Sequence, residues 1–222
     1  MKKVAASIMC ADQLQLGKEL DALQHAGVDW LHIDVMDGRY VNNLAMGPYV
    51  VAPIIRTGKF STDIHLACED PERYIEMFAP LKPNYLTFHI ETADDPEKLI
   101  ALIRSKQIKP GIAVNPETPL TAILPYLDQV ELVLVMTVQP GFAGQPFNEK
   151  VLGKLQELAR HLSRFKVPPL VEVDGNINSA TVEKISKIGA DLYVLGTSAL
   201  FNDKLETYSQ KISQVTRFFE SS

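Results

Sequence analysis

The segment Leu132-Val133-Leu134-Val135-Met136 is an unbroken apolar run, and the polar Thr137 follows it directly. Strands that are apolar on both faces are typical of parallel sheets whose two sides are covered by helices. Similar segments recur along the whole chain. They predict eight strands: Val4–Ser7, Trp30–Val35, Ser61–Leu66, Tyr85–His89, Lys109–Val114, Leu132–Thr137, Pro169–Val173 and Leu192–Leu195.

Amphipathic stretches separate the predicted strands. Leu14–Leu23 and Thr181–Ile188 carry apolar residues at helical spacing. Asp95-Pro96 is typical of a capped helix start, and Lys204–Phe219 is predicted as the last helix. Strands that alternate with helices in this way favour a parallel sheet.

The spacing of the strand ends selects the kind of parallel sheet. From Ser7 to Gly196 the eight predicted ends follow one another every 27 residues on average, which suits a tight (β/α)8 TIM barrel. A doubly wound open sheet is the alternative, but its G-x-G-x-x-G fingerprint does not follow the first predicted strand. Since no low-complexity linker divides the chain, we expect a single barrel domain over residues 1–222.

The composition limits the partners and the compartment. The 222 residues carry a formal net charge of −5, which gives no support for a nucleic-acid partner. The two cysteines, Cys10 and Cys68, show no CxxC or disulfide pattern. No segment approaches the roughly 20 apolar residues that a membrane span needs, and the N-terminal residues do not resemble a signal peptide. We therefore expect a cytoplasmic protein with no membrane partner.

Ligand-type side chains gather at three of the predicted strand ends. They occur in His32-Ile33-Asp34, Asp63-Ile64-His65 and Glu172-Val173-Asp174-Gly175. Side chains two apart on a strand share a face, and the active site of a TIM barrel lies at the carboxyl ends of its strands. Two imidazoles and two carboxylates suit a zinc-like divalent ion. Because two carboxylates facing each other across such an ion could remove and return a proton, the pattern favours a metal-assisted epimerase.

Seven motifs in one order carry a resemblance that extends over nearly the whole chain. They are Ser7-Ile8, His32–Gly38, Asp63–Leu66, Asn115–Pro119, Val138–Gln145, Glu172–Gly175 and Gly196–Ser198. On these residues the chain resembles the ribulose-phosphate 3-epimerase family. The resemblance implies a (β/α)8 barrel of the ribulose-phosphate-binding type and an isomerase that interconverts ketose phosphates epimeric at carbon 3. It also implies a homo-oligomer.

The resemblance assigns roles to individual residues. It implies that Asp34 and Asp174 invert carbon 3 by proton transfer through a metal-stabilised enediolate. With His32 and His65 they would hold one divalent metal ion, Zn²⁺ as the first expectation and Fe²⁺, Mn²⁺ or Co²⁺ as alternatives. Backbone N–H groups of the glycine-rich loops would hold the phosphate. The expected substrate-binding positions are Ser7, His65, Met36, Met136, Gly141, Phe142, Ala143, Gly144, Gly175, Asn176, Gly196 and Thr197.

The sequence leaves two ketose-phosphate pairs as possible substrates. These are D-allulose 6-phosphate with D-fructose 6-phosphate, and D-ribulose 5-phosphate with D-xylulose 5-phosphate. The segments Met136–Phe147 and Gly196–Asn202 lean toward the allulose-6-phosphate branch. Residues 39–43 stand where the family usually has His-Phe-Val-Pro-Asn. The departures from the family pattern that bear on the site are Arg39, Asn42, Ala67 and Asn176, none of them an expected ligand.

Two other functions fit part of the pattern. A related barrel lyase, such as a decarboxylase or a hexulose-phosphate synthase, would carry an Asp-x-Lys-x-x-Asp strand, whereas His32–Asp37 contains no lysine. A non-catalytic sugar-phosphate-binding barrel would not need both Asp34 and Asp174. His89 also ends a predicted strand, but the resemblance assigns it no role, and we expect a structural or supporting part for it.

Overall fold

A barrel of parallel strands forms the centre of the computed structural model, which describes residues 2–219. The strands in this range are β1 (Lys3–Ser7), β2 (Trp30–Asp37), β3 (Leu44–Ala45), β4 (Ser61–Ala67), β5 (Tyr85–His89), β6 (Lys109–Val114), β7 (Leu132–Met136), β8 (Leu170–Asp174) and β9 (Leu192–Leu195). All except β3 are parallel, and the pairing of β1 with both β2 and β9 closes the ring. The short β3 pairs antiparallel with the end of β2. The predicted TIM barrel is therefore confirmed, with every predicted strand within two residues of its observed bounds.

Helices cover the outside of the barrel. Over the described part of the chain they are α1 (Leu16–His25), α2 (Pro48–Arg56), α3 (Pro71–Phe78), α4 (Pro96–Ser105), α5 (Val151–Leu162), α6 (Ser179–Ile185) and α7 (Tyr208–Thr216). Three of them begin with proline, whose fixed φ suits the first helical position. The predicted start at Asp95-Pro96 is confirmed, because the Asp95 side chain accepts a hydrogen bond from the Lys98 N–H.

One unit of the barrel lacks its α-helix. Between β6 and β7, a segment that the structure describes completely, the chain forms only two 3-10 turns, at Leu120–Ala122 and Leu124–Tyr126. Pro119 and Pro125 lie in this segment, and proline removes a backbone donor and disfavours helical geometry in the residue before it. Carbonyl oxygens of this segment are bound by a side chain from outside it: the Lys154 ammonium, on α5, donates to those of residues 115, 116 and 118 at 2.6–2.9 Å.

Two predicted helices are shorter in the structure. The helix predicted over Lys204–Phe219 forms only as α7, because a capping box between Thr207 and Gln210 fixes its start. The helix predicted over Thr181–Ile188 is α6, which begins earlier, at Ser179 after a similar capping box on Asn178, and ends earlier, at Ile185. Those two predictions were wrong at the ends, where local side-chain hydrogen bonds decide the boundary.

The inside of the barrel changes from apolar to polar toward the carboxyl ends of the strands. Along β2 the inward side chains are Trp30, His32 and Asp34, all buried. The Trp30 and Tyr85 rings, 5.3 Å apart, belong to an apolar cluster that fills the opposite end. The polar end is therefore the place for chemistry, as in other TIM barrels. Among residues 2–219, no helix is long and apolar enough to span a membrane.

Candidate active site

Four side chains converge at the carboxyl ends of β2, β4 and β8. His32 and Asp34 lie on β2, and the parallel register places Asp34 directly beside His65 on β4. Asp174 is the last residue of β8. One nitrogen or oxygen atom from each of the four lies within 4.8 Å of the other three. The structure thus brings together the four residues that the sequence predicts as metal ligands.

The spacing of these atoms fits a small divalent ion. Asp34 Oδ1 lies 3.2 Å from His65 Nδ1 and 3.4 Å from His32 Nε2. His32 Nε2 lies 3.2 Å from His65 Nδ1 and 4.0 Å from Asp174 Oδ2. Ligands held at zinc–ligand distances in a tetrahedron are about 3.3–3.6 Å apart. The donor types suit a four-coordinate metal, and the separations among His32, Asp34 and His65 lie close to this range, while Asp174 Oδ2 lies farther out, 4.0 Å from His32 Nε2.

The two carboxyl groups of the cluster differ in proton affinity. Burial raises the pKa of Asp174 to about 7, with the nearby Asp34 carboxylate adding to it and His32 opposing it. Burial also opposes ionisation of Asp34, but His32 and His65 outweigh it and hold the pKa of Asp34 well below its usual range. Two carboxyl groups whose pKa values are pushed apart are typical of an acid/base pair.

A second layer of buried carboxyl groups lies behind His32. Its Nδ1 is 3.2 Å from Glu172 Oε1 and 3.3 Å from Asp63 Oδ2. Thr87 Oγ1 donates to Asp63 Oδ1 at 2.6 Å. Burial and the Asp63 carboxylate raise the pKa of Glu172 to about 8. Burial opposes protonation of His32, but the Asp34 and Glu172 carboxyl groups outweigh it and raise the pKa of His32 well above its usual value. With Glu172 Oε1 accepting from Nδ1, a metal would bind at Nε2 by displacing the proton there.

No role was assigned to Asp63 or Glu172 from the sequence. A signal was present, because each stands two residues before a predicted ligand and therefore shares its face of the strand. His65 and Asp174 point into the barrel, and the side chains two residues before them, Asp63 and Glu172, are therefore expected to point into it as well.

The other predicted site residues line one cleft above the cluster. They are Ser7, Met36, Met136, Gly141, Phe142, Ala143, Gly144, Gly175, Asn176, Gly196 and Thr197. Asp34, His65 and Asp174 reach into the same cleft, whereas His32 is fully buried beneath it. Ser7 Oγ donates to Asp34 Oδ2 at 2.9 Å and so orients that carboxylate. Further lining residues that the sequence had not assigned are Cys10, Val138, Gln139, Pro140, Gln145, Val194 and Ser198.

The structure shows the surroundings of two departures from the family pattern. Asn176 has a φ of +52°, a left-handed conformation that asparagine tolerates better than most residues with a side chain. Its Nδ2 donates to the Gln145 carbonyl at 2.7 Å, which joins the loops after β7 and β8. Ala67 is fully buried and packs in a small apolar cluster with Met36 and Val41.

Comparison with known proteins identifies the family. The family model for ribulose-phosphate 3 epimerases matches residues 3–201. The ribulose-phosphate 3-epimerase of Helicobacter pylori strain J99 is 39% identical over 202 residues, which cover 91% of this chain and 92% of the relative. That of Bacillus subtilis strain 168 is 40% identical over 199 residues, covering 89% and 92%. The chain belongs to the ribulose-phosphate 3-epimerase family. The predicted family and enzyme class, an isomerase acting on sugar phosphates, are confirmed.

Comparison with solved structures shows that the chain shares its fold with other barrel enzymes. KGPDC from Streptococcus mutans, in a ligand complex, is similar with a TM-score of 0.70 and 14% identity, covering 99% of this chain and 98% of that one. The 3-hexulose-6-phosphate synthase of Salmonella typhimurium is similar with a TM-score of 0.66, also at 14% identity, covering 100% and 99%. At such identities only the fold is shared, so family membership decides the reaction class against a lyase or a simple binding protein.

Proposed function

We propose that this epimerase is metal-dependent and interconverts D-ribulose 5-phosphate and D-xylulose 5-phosphate by inverting carbon 3. The observation that carries the proposal is the pairing of Asp34 and Asp174, two carboxyl groups of opposite pKa shift, around one His/Asp cluster at the base of a cleft. The pentulose phosphate is preferred because the relatives with the matching sequences are named for it.

The two aspartates would divide the proton transfers between them. The C3 proton is next to the C2 ketone, so its removal leaves an enediolate. One aspartate would accept the C3 proton as a carboxylate while the other delivers one, and in the metal-free protein Asp174, with a pKa of about 7, takes up a proton more readily than Asp34. Inversion requires delivery to the opposite face, which one base does not easily reach. In the reverse reaction the roles exchange.

A divalent ion fits the four ligand atoms and would supply Lewis-acid stabilisation of the developing negative charge. His32, Asp34, His65 and Asp174 would hold it, with Zn²⁺ as our first proposal and Fe²⁺, Mn²⁺ or Co²⁺ as alternatives. Glu172, behind His32, restricts that imidazole to one orientation. Ser7 does the same for Asp34.

The phosphate would bind to backbone N–H groups in the loops after β7, β8 and β9. Gly141, Gly144 and Gly175 have φ values of +122°, +83° and +115°, which let the backbone take turns that other residues rarely adopt. Such turns, together with the start of a following helix, present N–H groups to an anion. Gly196 and Thr197 complete the rim.

Metal affinity is predicted to rise with pH. Asp174 must be ionised to bind a cation, and its pKa of about 7 leaves it mostly protonated at pH 6 and mostly ionised at pH 8. We expect Zn²⁺ to bind about tenfold more tightly at pH 8 than at pH 6, measured by competition with a chromophoric chelator. In Asp174→Asn this dependence should become shallower. Equal wild-type affinities at the two pH values would contradict the assignment of Asp174.

The substrate is tested by giving the zinc-reconstituted enzyme each ketose phosphate separately. We expect kcat/KM for D-ribulose 5-phosphate to exceed that for D-allulose 6-phosphate by about tenfold or more. The reverse order would assign the hexulose phosphate, which the segments at residues 136–147 and 196–202 favour. Turnover of neither sugar by metal-loaded protein would show that the proposed function is wrong.

We also propose that residues 1–222 act as one domain within a homo-oligomer. The described helices and strands pack around one barrel core, which supports the single domain. Light scattering of the purified protein gives the oligomeric state directly. The cytoplasmic location stays a prediction.

A further inference from the structure

A line of close contacts leads away from the metal-ligand cluster on the far side of His65. His65 Nε2 lies 2.7 Å from His89 Nε2, at the end of β5. His89 Nδ1 lies 3.0 Å from Glu91 Oε2, in the turn that follows. Both imidazoles are buried, and the Glu91 side chain is 18% exposed. The Asn115 N–H donates to Glu91 Oε1 at 2.8 Å and fixes the carboxylate.

The position of each proton in this chain of contacts can be assigned by starting at Glu91, its outermost residue. Burial opposes ionisation of Glu91, but the hydrogen bonds from His89 and its other neighbours lower the pKa to about 2, so Glu91 only accepts. His89 must then carry its proton on Nδ1. His65 turns its Nδ1 toward Asp34 Oδ1 and His32 Nε2, both at 3.2 Å, so its Nε2 is the nitrogen that meets His89. When Nδ1 binds a cation, the proton of neutral His65 is on Nε2, and His89 Nε2, at 2.7 Å, accepts it.

The consequence appears at the inner nitrogen of His65. With its proton on Nε2, the neutral imidazole presents a lone pair at Nδ1. With a metal bound, Glu172 would hold His32 in the same sense, with its proton on Nδ1 and its lone pair at Nε2. The two nitrogens that would then present lone pairs lie 3.2 Å apart, with Asp34 Oδ1 beside both. Acceptors that converge in this way are stabilised by a cation.

We propose that Glu91 and His89 are positioning residues that hold the proton of His65 on Nε2 and thereby present Nδ1 to the divalent ion. This inference rests on the metal site of the proposed function. It gives the supporting part expected for His89 a defined task. Neither residue lines the cleft beside the substrate-binding positions, so both act through His65.

Tyr40 adds a contact that the family pattern does not supply, since phenylalanine usually stands at its position. Its hydroxyl accepts from Asn115 Nδ2 at 2.7 Å and donates to Glu91 Oε2 at 3.4 Å. It also lies 3.2 Å from His89 Nδ1. Because Glu91 keeps its other donors, we expect Tyr40→Phe to weaken Zn²⁺ binding no more than about threefold.

The test uses two variants at position 89. His89→Phe removes the acceptor for the His65 proton, and His89→Gln offers an amide oxygen near the same place. Tyr85→Phe is the matched control, because Tyr85 lies on the same strand and face but at the apolar end. Zn²⁺ affinity is measured by chelator competition, the ligand field by the visible spectrum of the Co²⁺ form, and the imidazole protons by ¹⁵N NMR of the Zn²⁺ form.

We expect His89→Phe to bind Zn²⁺ about 10- to 100-fold more weakly, with an altered Co²⁺ spectrum. His89→Gln should recover much of the affinity, and Tyr85→Phe should match the wild type. In wild-type protein the ¹⁵N spectrum should show His65 metal-bound at Nδ1 and protonated at Nε2. Glu91→Gln, whose amide can donate as well as accept, should lower the affinity about tenfold and gives a second variant if His89→Phe does not fold.

Wild-type affinity and an unchanged Co²⁺ spectrum in folded His89→Phe would overturn the proposal, as would a His65 bound to the metal through Nε2. These measurements do not depend on turnover. A wild-type enzyme that binds Zn²⁺ with these signatures but epimerises no ketose phosphate would refute the proposed function and leave the role of His89 and Glu91 supported.

Discussion

Replacing Asp174 by Asn is expected to lower kcat for carbon-3 inversion by about 10²- to 10⁴-fold, the usual effect of losing a positioned acid or base. The amide keeps the volume and one ligand oxygen of the carboxyl group but cannot cycle a proton. Zn²⁺ content is measured on the same sample, so that loss of metal is recognised separately. Asp203→Asn, an exposed aspartate outside the cleft, is the control and should retain wild-type activity.

The Asp174→Asn variant also distinguishes a mechanism with one acid/base group from a mechanism with two. In Asp174→Asn, Asp34 still faces one side of the bound sugar, so one of the two epimers should exchange its C3 proton with D₂O without being inverted. The other epimer should not exchange. Proton NMR of each sugar, incubated separately, follows both processes. Inversion at a near wild-type rate in a metal-loaded variant would show that Asp174 is not one of the two acids.

Gly175→Ala is expected to destabilise the folded protein by about 2–5 kcal/mol, from backbone strain together with overpacking. Gly175 has a φ of +115°, and an added Cβ would lie 2.6 Å from Val138 Cγ2 and 2.8 Å from the Val138 backbone nitrogen. The backbone atom cannot move aside as a flexible side chain would. Because Gly175 follows Asp174 directly, the shift should also impair activity.

Gly144→Ala is the matched control for this prediction. Gly144 also has a positive φ, of +83°, but no described atom lies within 4 Å of an added Cβ. Only the conformational cost remains there, about 1 kcal/mol. Urea unfolding of the metal-free proteins gives both values. Equal destabilisation by the two substitutions would show that the contact with Val138 does not constrain the turn after β8.

The barrel was predictable because its strands carry an unambiguous signal. Runs such as Leu132–Met136 are apolar throughout, and each ends at a polar residue where the chain leaves the barrel. The missing helix after β6 was harder to foresee, since Pro119 and Pro125 disfavour a helix without showing what replaces it. The late start of the last helix depends on one capping interaction at Thr207.

The sequence predicted the site residues that lie on strands but not those beyond them. Side chains two apart on a strand share a face, and this rule alone places His32 with Asp34 and turns His65 and Asp174 into the barrel. Glu91 lies beyond β5 in a 3-10 turn, where that alternation no longer applies. Tyr40 reaches His89 from 49 residues away, a contact that only the folded loop after β2 creates.

The central claim, inversion by two carboxyl groups on opposite faces of the sugar, is tested most directly by the isotope content of the product. Zinc-loaded wild-type enzyme would convert D-ribulose 5-phosphate in D₂O, and proton NMR would examine C3 of the D-xylulose 5-phosphate formed. We predict deuterium at C3 in essentially every product molecule, because the second acid has exchanged with solvent before it delivers its proton. Product that retains the substrate's own C3 hydrogen would mean that a single group carries the proton across, and would contradict the two-aspartate account.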